Sequence, residues 1–170
     1  MKRLLILYPL MLVAACGKSE ERAARKASED AAAIAAVEAA QNFKPPVQPV
    51  KLEPITHQDV EANNLYGAGC NFVGAGDPQS PLVIAQSGRA IIKTGGELTV
   101  LFADIAGQKL EMGAWEHYTG KRNTLTLRRT GSAKGTPAGY EVTRFEAKLT
   151  VFDEFGRTVL EQTGPLDCGS

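Results

Sequence analysis

The chain has 170 residues with 19 basic and 19 acidic side chains. That balance supplies no long-range field to concentrate it on nucleic acid, which excludes nucleic-acid binding as a first reading. The length allows one modest domain with appendages, and the three widely spaced cysteines do not make a tetrahedral metal site.

The first element is a leader. Lys2 and Arg3 precede an uncharged, mostly apolar run from Leu4 to Ala15, interrupted by Tyr8 and Pro9. The run is too short to span hydrocarbon as a helix, which takes about 20 residues. A basic start and a short apolar run are the marks of a secretory signal. The run closes on Val13-Ala14-Ala15-Cys16.

This stretch resembles the bacterial lipobox. The resemblance implies removal of residues 1–15 and lipidation of Cys16, with diacylglycerol on the thiol and a further acyl chain such as palmitate. One acyl chain binds membranes marginally, whereas two or three anchor stably. Gly17, not Asp, follows the cysteine, which in such lipoproteins implies the outer membrane with the chain facing the periplasm or the cell surface. The alternative is an ordinary secretory signal in which Cys16 is incidental.

With Cys16 assigned to lipid, Cys70 and Cys168 remain. In an oxidising compartment they have one connectivity, a disulfide closing a loop of nearly 100 residues. Chain-entropy models credit such a loop with about 4.7 kcal/mol. Two buried free thiols are the alternative.

Residues 16–43 follow as a lipidated N-terminus and an alanine-rich tether. Ala, Glu, Lys and Arg dominate it, and these favour helix. Glu20 and Glu21 suit the start of a helix dipole. Ile34 and Val37 are its only larger aliphatic residues, a thin stripe suited to a solvated helix or to a weak docking helix. Residues 44–62 are read as a linker. Pro45, Pro46, Pro49 and Pro54 exclude helix early in it and favour extended geometry. His57 to Asn64 reads as a short helical turn leading into the domain.

From 63 to 170 the pattern is β. Leu82-Val83-Ile84 is a short apolar strand. Residues 89–94 and 97–103 flank Gly95-Gly96, which predicts a tight hairpin. Another turn at 104–107 leads into 108–112. In 123–130, Leu125 and Leu127 face opposite to Thr124, Thr126 and Arg128. In 141–151, Phe145, Ala147, Leu149 and Val151 alternate with Arg144, Glu146, Lys148 and Thr150, so one face is dry and the other wet. A turn at 153–156 returns the chain through 157–162 to Cys168. Short turns between strands predict a mainly β domain, an antiparallel meander forming a small sandwich or barrel closed by the Cys70–Cys168 bridge.

Chemistry is sparse. Gly67-Ala68-Gly69-Cys70-Asn71-Phe72 lacks the third glycine and the following helix of a dinucleotide motif, so its glycines read as turns or close packing around Cys70. His57 and His117 have no second histidine at ligand spacing. Ser87-Gly88 and Ser132 have no nucleophile-elbow context. No enzyme, cofactor or metal is expected. The best binding patch is Trp115, His117 and Tyr118 followed by Lys121 and Arg122, an aromatic-plus-cation loop of the kind that builds contact hot spots. The alternative places Trp115 in the core and leaves Lys121-Arg122 as a solvated turn.

Ser87-Gly88-Arg89 followed by Lys93-Thr94-Gly95 is similar in type to the Ser-Gly and Lys-Gly segments of the periplasmic C-type lysozyme inhibitors, small disulfide-bonded β-barrel lipoproteins. The spacing differs, and the aromatic residues of those inhibitors are absent between the two parts. The sequence thus points to a non-enzymatic, membrane-anchored envelope lipoprotein that binds an envelope protein or serves a structural role. The resemblance implies, as the other reading, an inhibitor of an exogenous hydrolase such as lysozyme.

Overall fold

The computed structural model describes residues 17–74 and 80–170. The signal segment and Cys16 lie outside the described residues. The chain divides into two units, Met1–Pro45 and Pro46–Ser170.

In the first unit, α1 spans Gly17–Gln41. It forms where the alanine-rich composition predicts it. Its side chains from Lys18 onward are exposed, Ile34 and Val37 included. Arg25 and Glu29 pair across one turn at 3.0 Å, a contact worth about 0.3–0.5 kcal/mol at such exposure.

Among the described residues the second unit holds nine strands: β1 Gly69–Phe72, β2 Val83–Gln86, β3 Arg89–Thr94, β4 Glu97–Ala103, β5 His117–Thr119, β6 Thr124–Arg129, β7 Thr136–Gly139, β8 Val142–Phe152 and β9 Thr158–Gly169. Their order is β6-β5-β4-β3-β2-β1-β9-β8-β7, antiparallel throughout. The C-terminal half of β8 also pairs with β6. That pairing closes eight strands into a barrel and leaves β7 as an extra strand on the same edge of β8. Of the two expected architectures, sandwich or barrel, the structure is a barrel.

Strand alternation fills it. Phe145, Ala147, Leu149 and Val151 of β8 point inward with Phe72, Leu101, Tyr118, Leu125, Leu127 and Leu166. Arg144, Glu146 and Lys148 line the outer face. Arg144 holds Asp167 of β9 through two 2.6 Å hydrogen bonds, and Lys148 meets Glu161 at 2.9 Å. An apolar interior with a charged exterior is the reverse of a membrane-spanning barrel, which needs an apolar band outside.

The Gly95-Gly96 hairpin forms between β3 and β4, with φ of 58° and 80° at the two glycines. A primed turn requires those signs, and its twist matches that of the flanking strands. Cys70 and Cys168 face each other in register on β1 and β9 and form a disulfide. The bridge therefore ties the first strand to the last. Gly69 beside it has no room for a side chain, because a Cβ there would run into the Ala85 carbonyl of β2.

Four stretches differ from the sequence reading. Residues 108–112 do not form a strand: Lys109 bridges only Trp115, and Glu111–Gly113 is a 3-10 turn. Strands β5 and β7 were not foreseen, being short and weakly patterned. The span 44–62 is not spacer throughout, because from Val50 it is docked. The Val50 N–H donates to the Val159 carbonyl, that of Glu53 to Lys93, and that of Ile55 to Pro81. Leu52 enters the barrel core, and Ile55 is fully buried elsewhere. A short helix, α2 His57–Asn63, follows with a capping box between Thr56 and Asp59.

This strap explains why β2 and β3 are apolar on both faces. Val83, Ala85, Ala90 and Ile92 face the barrel interior. Ile84 and Ile91, paired across the strands, face outward and are covered by Ile55, Val60 and Leu65.

Candidate functional site

Strand register assigns loops to the two barrel ends. One end carries residues 66–68, the β2–β3 turn at Ser87-Gly88, the long β4–β5 connection and the β7–β8 turn. Large apolar side chains are exposed there: Tyr66 (56%), Phe102 (69%), Ile105 (74%), Met112 (40%) and Tyr140 (90%). Tyr66, Phe102 and Met112 line a groove of about 540 Å³, with Gly67, Ala68, Gln86, Ser87, Gly88 and Arg89.

Each wall comes from a different element. Phe102 sits near the end of β4, where alternation buries Leu101 and turns Phe102 out. Tyr66 lies in the loop after the left-handed cap Asn64, φ 49°. Met112 also has a left-handed backbone, φ 52° and ψ 26°, which costs a non-glycine residue about 1–2 kcal/mol.

The floor is braced from inside. The Tyr118 hydroxyl donates to the Gln86 carbonyl at 2.8 Å and accepts the Trp115 backbone N–H at 2.8 Å. The Trp115 indole N–H donates to the Ser87 carbonyl at 2.9 Å. The Ala103 N–H donates to the Gly88 carbonyl at 3.2 Å. Three successive carbonyls of the turn are therefore held, while the Ser87 side chain stays exposed. Burial pushes the Tyr118 hydroxyl up to about 12, against the opposing pull of the Trp115 N–H. It stays a donor across the physiological range.

The Tyr66 wall is fixed by Gln86 and Arg89. The Gln86 amide donates to the Leu65 and Tyr66 carbonyls at 3.0 and 3.1 Å. Arg89 donates from Nε to the Gln86 amide oxygen at 3.1 Å and from Nη2 to the Asn64 carbonyl at 3.2 Å.

The sequence-derived patch does not form one surface. Tyr118 is wholly buried in the barrel, since the β5 alternation turns it inward to fill space and brace the turn. Trp115 is half-buried, packed against the core with Lys109 over its ring at 5.0 Å. His117 points outward, its Nδ1 at 3.1 Å from the Thr126 hydroxyl. Lys121 and Arg122 lie on the β5–β6 turn at the opposite barrel end. There they join His117 around a second depression of about 460 Å³ that also includes Phe152, Asp153 and Glu154. Asp153 is already engaged, with its carboxylate accepting from the Phe155 and Arg157 backbone N–H groups and from Arg157 Nε.

The sequence does not mark Tyr66, Gln86, Phe102 or Met112, and it brings out Arg89 only within Ser87-Gly88-Arg89. One signal was present: Leu98, Val100 and Phe102 put apolar side chains on the outer face of β4. Tyr66 and Met112 sit in irregular backbone, where no periodicity marks them. No group of three or more His, Cys, Asp or Glu able to hold a metal occurs among the described residues. No family model matches the chain, and neither a curated protein nor a solved structure matches it, so its functional reading rests on its own residues.

Proposed function

We propose that this chain is a membrane-anchored cell-envelope lipoprotein with a non-enzymatic binding role. It is held to the outer membrane by lipid on Cys16, with the barrel facing the periplasm. The anchoring half of this reading rests on the lipobox-like Val13-Ala14-Ala15-Cys16. The binding half is carried by one observation: a rigidly braced turn, Ser87-Gly88, beside exposed Tyr66, Phe102 and Met112. Rigid apolar anchors lose little entropy on contact, which favours recognition. The exposed α1 and the segment before Val50 suit a tether.

Anchoring is tested by palmitate labelling and fractionation. The native chain is expected to label and to sediment with membranes. Cys16→Ser is expected to lose both properties. A Cys16→Ser chain that still labels and sediments would sink the reading.

A second reading is favoured by the same turn. An inhibitor of a hydrolase such as lysozyme works best with a preorganised loop to seat in an enzyme cleft, and Ser87-Gly88 is braced at three carbonyls. Lysozyme assayed with a micromolar excess of the chain tests it. Unchanged turnover removes this reading and leaves the first intact.

A further inference from the structure

We propose that the Tyr66–Phe102–Met112 groove docks a segment of a partner protein that presents an apolar side chain beside a carboxylate, with Arg89 as the counter-charge. This deepens the binding role proposed above and rests on it.

Charge complementarity carries the argument. Arg89 is the one charged residue among the described residues that line the groove. Its guanidinium contacts neutral acceptors, the Gln86 amide oxygen and the Asn64 carbonyl. Among the described residues no carboxylate pairs with it. Those two bonds use Nε and one Nη2 proton, so three of the five donors of the planar guanidinium fork remain, two on Nη1 and one on Nη2. Such a fork matches a carboxylate with two parallel hydrogen bonds. Apolar walls lower the local dielectric and strengthen that pair. The bonds that hold Arg89 also fix its direction, so little side-chain entropy remains to be lost.

The chain enters the barrel at the end opposite the groove. Val50 joins the barrel at Val159, beside the β8–β9 turn and at the end away from the groove. The groove is therefore at the barrel end opposite the point where Val50 docks.

The test uses the ¹⁵N-labelled full chain carrying Cys16→Ser and two probes, N-acetyl-phenylalanine and its uncharged amide. Binding is followed through backbone amide shifts. The acid is expected to shift Ser87, Arg89, Phe102 and Met112 saturably, with a Kd in the millimolar range typical of so small a ligand. The amide is expected to bind roughly tenfold more weakly, the worth of one charge-assisted pair. Arg89→Gln should equalise the two probes, and Phe102→Ser should weaken both.

Equal binding of acid and amide to the parent chain overturns the proposal, and so do shifts centred elsewhere or no saturable shift. That comparison needs no groove variant to fold. If the groove amides shift on raising protein concentration alone, the occupant is a second copy. If they shift with phosphatidylcholine bicelles and ignore the acid, it is a lipid surface. Either result also overturns the proposal. The anchoring experiment reads Cys16 alone, so failure here leaves its outcome untouched.

Discussion

The Tyr118 hydroxyl makes two hydrogen bonds inside the barrel, one to each side of the groove floor. Phenylalanine in its place would keep the ring and its packing but leave the Gln86 carbonyl and the Trp115 N–H short of a partner. Removing one member of such a buried pair costs about 1–3 kcal/mol. Tyr118→Phe is therefore expected to lower stability by about that much in urea denaturation, and to speed hydrogen exchange around Ser87 and Gly88. Unchanged exchange there would mean that the turn is rigid without this brace. By sequence Tyr118 reads as a surface residue, because His-Tyr-Thr follows Trp-Glu in a stretch too short to reveal its period. One strand position decides between a binding residue and a core residue, and three residues of strand cannot announce their register.

At the scale of elements, the strap from Val50 to Leu65 behaves as a covering for the outer face of β2 and β3. Its ionic lock is Asp59, 2.8 Å from Lys93 Nζ and bonded also to the Thr56 N–H and hydroxyl. The Lys93 hydrogen bond first, then those from Thr56, hold the Asp59 carboxyl down at about 2, below the ordinary 3.8. A carboxylate with a depressed folded pKa stabilises the docked state above its unfolded pKa. That contribution is lost as pH falls from about 4 towards 2. Hydrogen exchange at the Val60 and Leu65 amides, taken relative to the intrinsic rate at each pH, is expected to quicken across this window in the native chain. In Asp59→Asn it should already be faster at neutral pH and lose that titration. An identical acid response in both proteins would assign it to other carboxylates. The strap was partly legible: His57 to Asn64 reads as a helical turn in the sequence. Its docking was not, because prolines at 45, 46, 49 and 54 mask the apolar sequence Val50, Leu52, Ile55. Leu52 and Ile55 serve two separate cores, a division that no single periodicity encodes.

For the molecule as a whole, closure is the main structural event. β1 and β9 are remote in sequence and adjacent in space, and the β6–β8 pairing completes the ring. The Cys70–Cys168 bond joins the most distant of these neighbours, with a sequence separation of 98. Cross-linking so long a loop restricts the unfolded chain more than the folded one. Replacing both cysteines by alanine is expected to cost about 2–5 kcal/mol in denaturation midpoint experiments, and dithiothreitol should bring the native chain to the same value. A doubly substituted chain as stable as the native one would show that strand pairing alone holds the ring.

The sequence by itself determined the alternating strands, the Gly95-Gly96 hairpin, the alanine-rich helix and the pairing of Cys70 with Cys168. The strands, hairpin and helix follow from local periodicity, turn stereochemistry and helix propensity, whereas the Cys70–Cys168 pair is expected only once Cys16 is set aside on its resemblance to the lipobox. Tertiary structure alone decided that the strands close into a barrel, that Tyr118 turns inward, and that Tyr66, Phe102 and Met112 meet around Arg89. These depend on residues distant along the chain arriving at one end of the ring. Strand order, which local pattern does not specify, sets that arrival.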